Sequence, residues 1–283
     1  MHTKSFGVVG FPVAHSKSAI IHRASFEAQG LDYTYDLCEV EPGQFNSFVA
    51  SLDSSWGGLS VTMPHKVDAL KFSTDVDLIA TNSQAVNTVL FIRNELGQIA
   101  GASGYNTDVY GMVQSIRDGG MTSARHGAII GSGATASSAI VGMADLGVEH
   151  VSVIARNVDK AEDLRTVAES VGLTFSAHSS EEMGHINPVD VAICALPGTV
   201  ELSLKDLPRE PGAVLMDVAY DPWPSARGVE WDAAGGFTVS GLRMLVHQAV
   251  LQDRIFRYGD PAQPFPDEDR VVDAMFHAVG LER

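Results

Sequence analysis

Apolar positions along the chain fall into two regimes. Over the first hundred residues, short β-branched runs alternate with segments of helical spacing. Residues 6–9 read as a buried strand, broken by Gly10 and Pro12. A helix over about 18–29 follows, with Gly30 as its stop, and strand character returns over 33–40. Pro42 suits the first turn of a helix on which Phe45, Phe48, Val49 and Leu52 stand at i, i+3, i+4 and i+7. Trp56-Gly57-Gly58 turns the chain into a strand over 59–62. A weak helix near 75–80 and a strand over 85–92 lead to Asn94-Glu95-Leu96-Gly97, a hairpin loop. Such alternation predicts an α/β layer structure.

From Asp108 the pattern steadies. Val109, Met112, Val113 and Ile116 mark one helix face, which Gly119-Gly120 ends. Apolar runs then recur at 128–130, 151–155, 173–175, 189–195, 214–218 and 237–239. Six runs with helical crossovers describe a doubly wound parallel sheet. Residues 241–258 are helical again. A loop with Pro261, Pro264 and Pro266 precedes a last amphipathic helix carrying Val271, Val272, Met275, Phe276 and Val279. Neither an internal repeat nor a low-complexity segment is present.

Composition narrows the class. A chain of 283 residues suits two domains, each able to bury a core. Nineteen basic against 35 acidic residues give a net charge of −16, which repels nucleic acid and anionic membrane. An anionic small molecule must therefore be held by local positive groups. The two cysteines, Cys38 and Cys194, match neither a disulfide framework nor a metal-ligand spacing. The N-terminal segment 1–6 has no signal-peptide core, and no apolar run is long enough to span a bilayer. These features predict a reduced, cytoplasmic protein.

The strongest local signal is Ala128-Ile129-Ile130-Gly131-Ser132-Gly133-Ala134-Thr135-Ala136, a strand running into Gly-x-Gly-x-x-Ala and a helix. Gly131 allows the tight turn, Gly133 lets a pyrophosphate approach the backbone, and Ala136 permits close helix–sheet packing. The helix N-terminus offers unpaired N–H groups to phosphates. The next strand ends in Ala155-Arg156-Asn157. An arginine here suits the 2′-phosphate of NADP, where an acid would select NAD; Asn157 is equally a helix N-cap candidate.

Other candidates lie outside that sheet. In His15-Ser16-Lys17-Ser18 the serines are N-cap candidates, or a pair of hydroxyls for a carboxylate at a helix N-terminus. Asp108 falls in a first helical turn, where the dipole favours its ionised form. Gln248 interrupts the apolar stripe of Met244, Leu251 and Ile255, and a buried amide needs partners. Lys66, just past the strand and Pro64, would by itself be an ordinary surface charge.

Taken together, these segments resemble the shikimate dehydrogenase family. The matching stretches are Gly10-Phe11-Pro12-x-x-His15-Ser16-x-Ser18, Ser60-Val61-Thr62-Met63-Pro64-His65-Lys66, Ala85-Val86-Asn87-Thr88 and Gly104-x-Asn106-Thr107-Asp108-x-x-Gly111. Gly131-Ser132-Gly133-Ala134, Asp217-Val218-Ala219-Tyr220-x-Pro222 and Gly241-x-x-Met244-Leu245-x-x-Gln248-Ala249 complete them, in the family's order. The resemblance implies an α/β substrate domain from residues 1–107 plus 241–283 and a Rossmann-type NADP domain over 108–240, with the active site in the cleft between them. It implies reversible NADPH-dependent reduction of 3-dehydroshikimate to shikimate, in aromatic amino acid biosynthesis. Lys66 and Asp108 would form the catalytic pair. Ser16 and Ser18 would hold the carboxylate, and Thr62, Asn87, Asp108 and Gln248 the ring hydroxyls, with Tyr220 nearby. Cofactor contacts would come from Gly131, Ser132, Gly133, Ala134, Thr135, Arg156, Asn157, Leu196 and Gly241. No metal is implied, because an ammonium serves as the electrophile. The chain would act as a monomer or homodimer on a small molecule.

Departures from the family pattern bear on substrate preference. Ser60 stands where many members have a substrate-contacting asparagine. Ala19 replaces a common proline and Arg23 a common asparagine. Cys194-Ala195-Leu196 replaces Asn-Ala-Thr or Asn-Ala-Ser on the nicotinamide side, and Ala155 an asparagine before Arg156. The alternatives are a quinate/shikimate dehydrogenase, or a paralogue acting on a related cyclitol acid, and a non-catalytic dinucleotide sensor. Ser18 and Arg156 favour shikimate and NADP, and the retained Lys66 and Asp108 favour catalysis.

Overall fold

A computed structural model describes residues 4–283, so Met1–Thr3 of the N-terminal segment lie outside the described residues. The chain divides into two compact units. One runs to Thr107 and is completed by Gln248–Arg283; the other is Asp108–His247.

The first unit begins with β1 (Lys4–Gly10), α1 (Ser18–Ala28), β2 (Tyr33–Glu39), α2 (Phe45–Ser51) and β3 (Gly58–Val61). It continues with α3 (Lys66–Phe72), β4 (Asp75–Val76), α4 (Leu78–Ser83), β5 (Thr88–Arg93) and β6 (Ile99–Tyr105). Its strands form one mixed sheet in the order β2-β1-β3-β5-β6-β4. The β1–β2 and β1–β3 pairs are parallel, whereas β5 runs antiparallel to both β3 and β6. The expected hairpin loop joins β5 to β6, with Gly97 at φ 76°.

Two local expectations differ. The helix expected from Pro42 starts only at Phe45, because Gln44 N–H bonds back to Glu41 and Gly43 adopts φ 81° in a preceding turn. The weak helix near 75–80 splits into β4, which pairs with β6, and α4, which is capped by Asp77 accepting from Ala80 N–H at 2.6 Å.

The second unit contains α5 (Asp108–Asp118), β7 (His126–Ile130), α6 (Ala134–Asp145), β8 (His150–Ile154), α7 (Val158–Glu162), α8 (Arg165–Ser170) and β9 (Thr174–His178). After these come β10 (Val189–Cys194), β11 (Arg209–Asp217), α9 (Ala226–Ala233) and β12 (Phe237–Ser240). The six strands lie in the order β12-β11-β10-β7-β8-β9, all neighbours parallel. That order is the doubly wound pattern, with its switch between β7 and β10. Helical crossovers join β7 to β8, β8 to β9 and, through α9, β11 to β12. A single 3₁₀ turn at Met183–His185 lies between β9 and β10, and β10 reaches β11 through an irregular segment. Buried aliphatics fill both faces of the sheet, Ile129, Val153 and Ile193 on one side and Ile130, Ile154 and Cys194 on the other.

Helix α10 (Gly241–Tyr258) and helix α11 (Glu268–His277) end the chain. The division between units falls inside α10, after His247, rather than at the expected 240/241 boundary. Met244 explains this, since it belongs to the apolar core of the second unit.

Candidate active-site residues in each unit

In the first unit the strand end and the turn after it are held by close backbone approach. Thr62 N–H donates to Val9 O and Phe11 N–H to Met63 O, both at 2.9 Å. A Cβ at Gly10 would lie 2.4 Å from Thr62 Cγ2, so a side chain there would force Thr62 to shift. This anchoring delivers Lys66 as the first residue of α3, a residue only 9% exposed. Its carbonyl accepts from Val86 N–H, and His65 before it is bound to Val40 O at 2.8 Å.

The two serines meet at the start of α1. Ser16 Oγ lies 3.1 Å from Ser18 Oγ and accepts from Ser18 N–H at 3.2 Å. Lys17, not a serine, occupies the N-cap position, and it makes no side-chain cap bond. With no acid in the first turn either, this N-terminus suits a carboxylate.

Asn87, Thr107 and Gln248 form a buried cluster. Asn87 Oδ1 accepts from Thr107 N–H at 2.8 Å, which fixes the carboxamide because a backbone N–H can only donate. Its Nδ2 accordingly faces Thr107 Oγ1 at 2.9 Å and Gln248 Oε1 at 3.4 Å. Gln248, read as an interruption of an apolar stripe, is therefore partnered by side chains of the substrate motifs. Ser60 is bonded on both sides. Its hydroxyl donates to Gln252 Oε1 at 2.8 Å and accepts from Tyr35 OH at 2.7 Å, within a buried network. Burial holds the Tyr35 phenol well above its usual range, so it remains a donor.

In the second unit, Asp108 is buried as the first residue of α5, in the first-turn position the sequence indicates. Tyr220 stands in the loop after β11. The segment 217–227 is fixed by Asp217, which accepts from Arg227 Nε at 3.1 Å and from Ser225 Oγ at 2.7 Å. Gly241 opens α10, where a Cβ would fall 2.0 Å from Val218 O. The Cys194 thiol at the end of β10 is buried, which pushes it up to about 11.

A cavity of about 940 Å³ lies along the C-terminal ends of β7, β8 and β10, and Gly131, Ser132, Arg156, Asn157 and Leu196 line it. Gly133, Ala134, Thr135 and Gly241 are not among its lining residues. Gly131 has φ 122°, a glycine conformation, whereas a Cβ at Gly133 would meet no protein atom. The protein's own packing therefore does not require glycine at 133, and a bare backbone there leaves room for close approach of a phosphate. Helix α6 starts there without a side-chain cap or a first-turn acid, leaving its N–H groups for phosphates. Ala136, fully buried, is the close-packing position expected of the motif. Asn157 caps α7 by accepting from Lys160 N–H at 3.2 Å, and Arg156 beside it is exposed. Lys160 also faces the cavity, four residues after Arg156. This donor set, backbone N–H groups with an arginine and a lysine, fits a phosphorylated dinucleotide.

Sequence reasoning missed Tyr35, Thr107, Lys160 and Gln252. Two had a signal. Gln252 follows Gln248 by one helical turn, and Lys160 follows Arg156 at the same spacing.

A mixed α/β unit with buried hydroxyl and amide donors, and a doubly wound unit with a glycine-loop cavity, define an α/β dinucleotide-binding protein. Comparison with known proteins narrows the class. The family model of the shikimate dehydrogenase substrate binding domain matches residues 8–89. The NADP(+)-dependent shikimate dehydrogenase of Brucella abortus is 34% identical over 256 residues, spanning 86% of this chain and 85% of its own. The crystal structure of Mycobacterium tuberculosis shikimate dehydrogenase superposes with a TM-score of 0.79 at 32% identity, covering 96% of this chain and 98% of that one. That of Thermus thermophilus shikimate 5-dehydrogenase, in complex with NADP(H) and shikimate, gives 0.79 at 26% identity over 97% and 99%. The chain belongs to the shikimate dehydrogenase family.

Proposed function

We propose that this chain catalyses the reversible NADPH-dependent reduction of 3-dehydroshikimate to shikimate. The observation that carries the reading is its 34% identity, over 256 residues, to an NADP(+)-dependent shikimate dehydrogenase. The residues agree with it. Arg156 and Lys160 line the cavity beside Gly131 and Ser132, and two cations there suit a 2′-phosphate.

Lys66 and Asp108 act as the catalytic pair. Bound NADPH supplies the hydride that converts the ketone carbon to a secondary alcohol. Negative charge developing on the carbonyl oxygen is stabilised by the Lys66 ammonium, which donates its proton there and recovers it in the reverse direction. Asp108 orients the lysine and balances its charge. The substrate carboxylate sits on the hydroxyls of Ser16 and Ser18 at the start of α1. Thr62, Asn87 and Gln248 meet the ring hydroxyls, and Tyr220 is a further substrate residue. Ser60 contributes through its bond to Gln252. Gly133, Ala134, Thr135, Leu196 and Gly241 complete the cofactor contacts.

The substrate domain then corresponds to the first unit and the NADP domain to the second. Cys38 and Cys194 are free thiols, which supports a reducing, cytoplasmic setting. Among the described residues no helix is long and apolar enough to cross a membrane. Mixing the purified protein with NADPH and 3-dehydroshikimate should consume the two one for one and yield shikimate. Absence of any such consumption would contradict the proposal.

A further inference from the structure

One wall of the cofactor cavity has no regular element to hold it. Residues 195–208, between β10 and β11, form neither helix nor strand, yet Leu196, Pro197, Val200 and Leu202 line the cavity. The segment starts beside the glycine turn, where a Cβ at Gly131 would lie 3.5 Å from Leu196 Cδ2. Within it, Val200 N–H donates to Pro197 O and Leu207 N–H to Leu204 O, both at 3.1 Å. These bonds close two turns but do not anchor the segment.

Helix α9 supplies the anchors, from two residues one turn apart. Arg227 Nη1 donates to Val200 O at 2.8 Å. Glu230 accepts from Ser203 Oγ and from Leu204 N–H, both at 2.7 Å. Arg227 is only 4% exposed, and its Nε and Nη2 make a fork onto Asp217, at 3.1 Å to Oδ2 and 3.2 Å to Oδ1. Asp217, fully buried, also accepts from Ser225 Oγ and Ala219 N–H. One guanidinium therefore ties the cavity wall to the segment 217–225, which carries Tyr220. The two segments also touch directly, since a Cβ at Gly198 would lie 3.0 Å from Asp221 O and 3.4 Å from Ala219 Cβ.

Packing alone does not ask for this arrangement. A buried ion pair stabilises a fold little more than apolar side chains of the same volume, because both charges must leave water. What the pair adds is direction. The fork fixes the guanidinium in the plane of the carboxylate and leaves Nη1 aimed at a single carbonyl. An apolar residue at 227 would fill the space without holding Val200 O.

We propose that Arg227 is a positioning residue for the cofactor, holding the cavity wall at Val200 and the Tyr220 segment in one fixed relation. The inference rests on the reading of this cavity as the NADP site. It gives α9 a part in cofactor binding although none of its residues lines the cavity.

The test is a fluorescence titration of the purified protein with NADPH, without substrate, alongside amide hydrogen exchange of the free protein. Arg227→Lys keeps a positive charge beside Asp217 but loses the fork and the bond to Val200 O. It should weaken NADPH binding about tenfold, the scale of one lost charge-assisted hydrogen bond, and speed exchange at residues 196–202. If that variant does not fold, Asp217→Asn/Arg227→Met removes both buried charges together, leaves neither unpaired, and should show the same two changes. NADPH affinity within about twofold of wild type in a folded variant would overturn the inference and leave the pair a purely structural role. Weaker binding with unchanged exchange at 196–202 would overturn it as well. A wild type that binds no NADPH would overturn the functional reading instead, while exchange at 196–202 would still report the clamp.

Discussion

The two units hold their functional groups by opposite means. In the first, amides, hydroxyls and an imidazole are buried and bonded to one another, from His22 and Tyr35 through Ser60 and Gln252 to Asn87. In the second, an aliphatic sheet core carries backbone N–H groups and exposed cations to the rim of a large cavity. The contrast follows from what each must recognise. A small polyhydroxylated ring is told apart by which groups donate and which accept, and a buried network fixes those directions because an unmet partner is costly there. Phosphates ask only for positive ends, which a helix N-terminus and a solvent-facing arginine supply at the surface.

The comparison breaks first at the His22–Asp253 pair. Asp253→Ala leaves the imidazole without its buried carboxylate and should destabilise the protein by roughly 3–5 kcal/mol in denaturant unfolding. A change below about 1 kcal/mol would mean that the network is not under the tension of burial. Next comes the chemistry. Lys66→Ala should lower kcat by roughly 10²-fold or more while the KM for NADP stays near the wild-type value, the pattern of a lost general acid.

Smaller effects sharpen the other side. Arg156→Ala should raise the KM for NADP by about 10- to 100-fold, as expected for one charge-assisted phosphate contact, with little effect on NAD. An equal loss with both cofactors would place Arg156 away from the 2′-phosphate. Smallest is the titration of Cys194. Burial pushes its thiol up to about 11 from 9.0, so the folded state holds this proton more tightly than the unfolded one. Its contribution to stability is therefore full below pH 9 and declines as pH rises from 9 towards 11. Over that range Cys194→Ala should lose unfolding free energy less steeply than wild type.

What the sequence made legible follows the range of the interactions. The strand–glycine loop–helix around Gly131 is local, so its conformation could be read from nine consecutive residues. The N-terminal position of Asp108 in its helix was legible for the same reason. Gln252 was not, because its partners Asn87 and Ser60 stand 165 and 192 positions away and only the closed fold brings them to it. Ser60 shows the same limit. Its substitution is visible in the sequence, but the destination of its hydroxyl depends on Tyr35 and α10. Local chemistry also misled at Pro42, where the Gly43 turn won over helix initiation. Between β9 and β11 the parallel pattern persisted without the α-helices that usually accompany it.

The most direct test of the account is the ratio of kcat/KM for shikimate with NADP to that for quinate with NAD, measured on the wild-type protein. The proposed activity, with Arg156 and Lys160 at the 2′-phosphate, predicts a ratio well above ten. A ratio below one would contradict it.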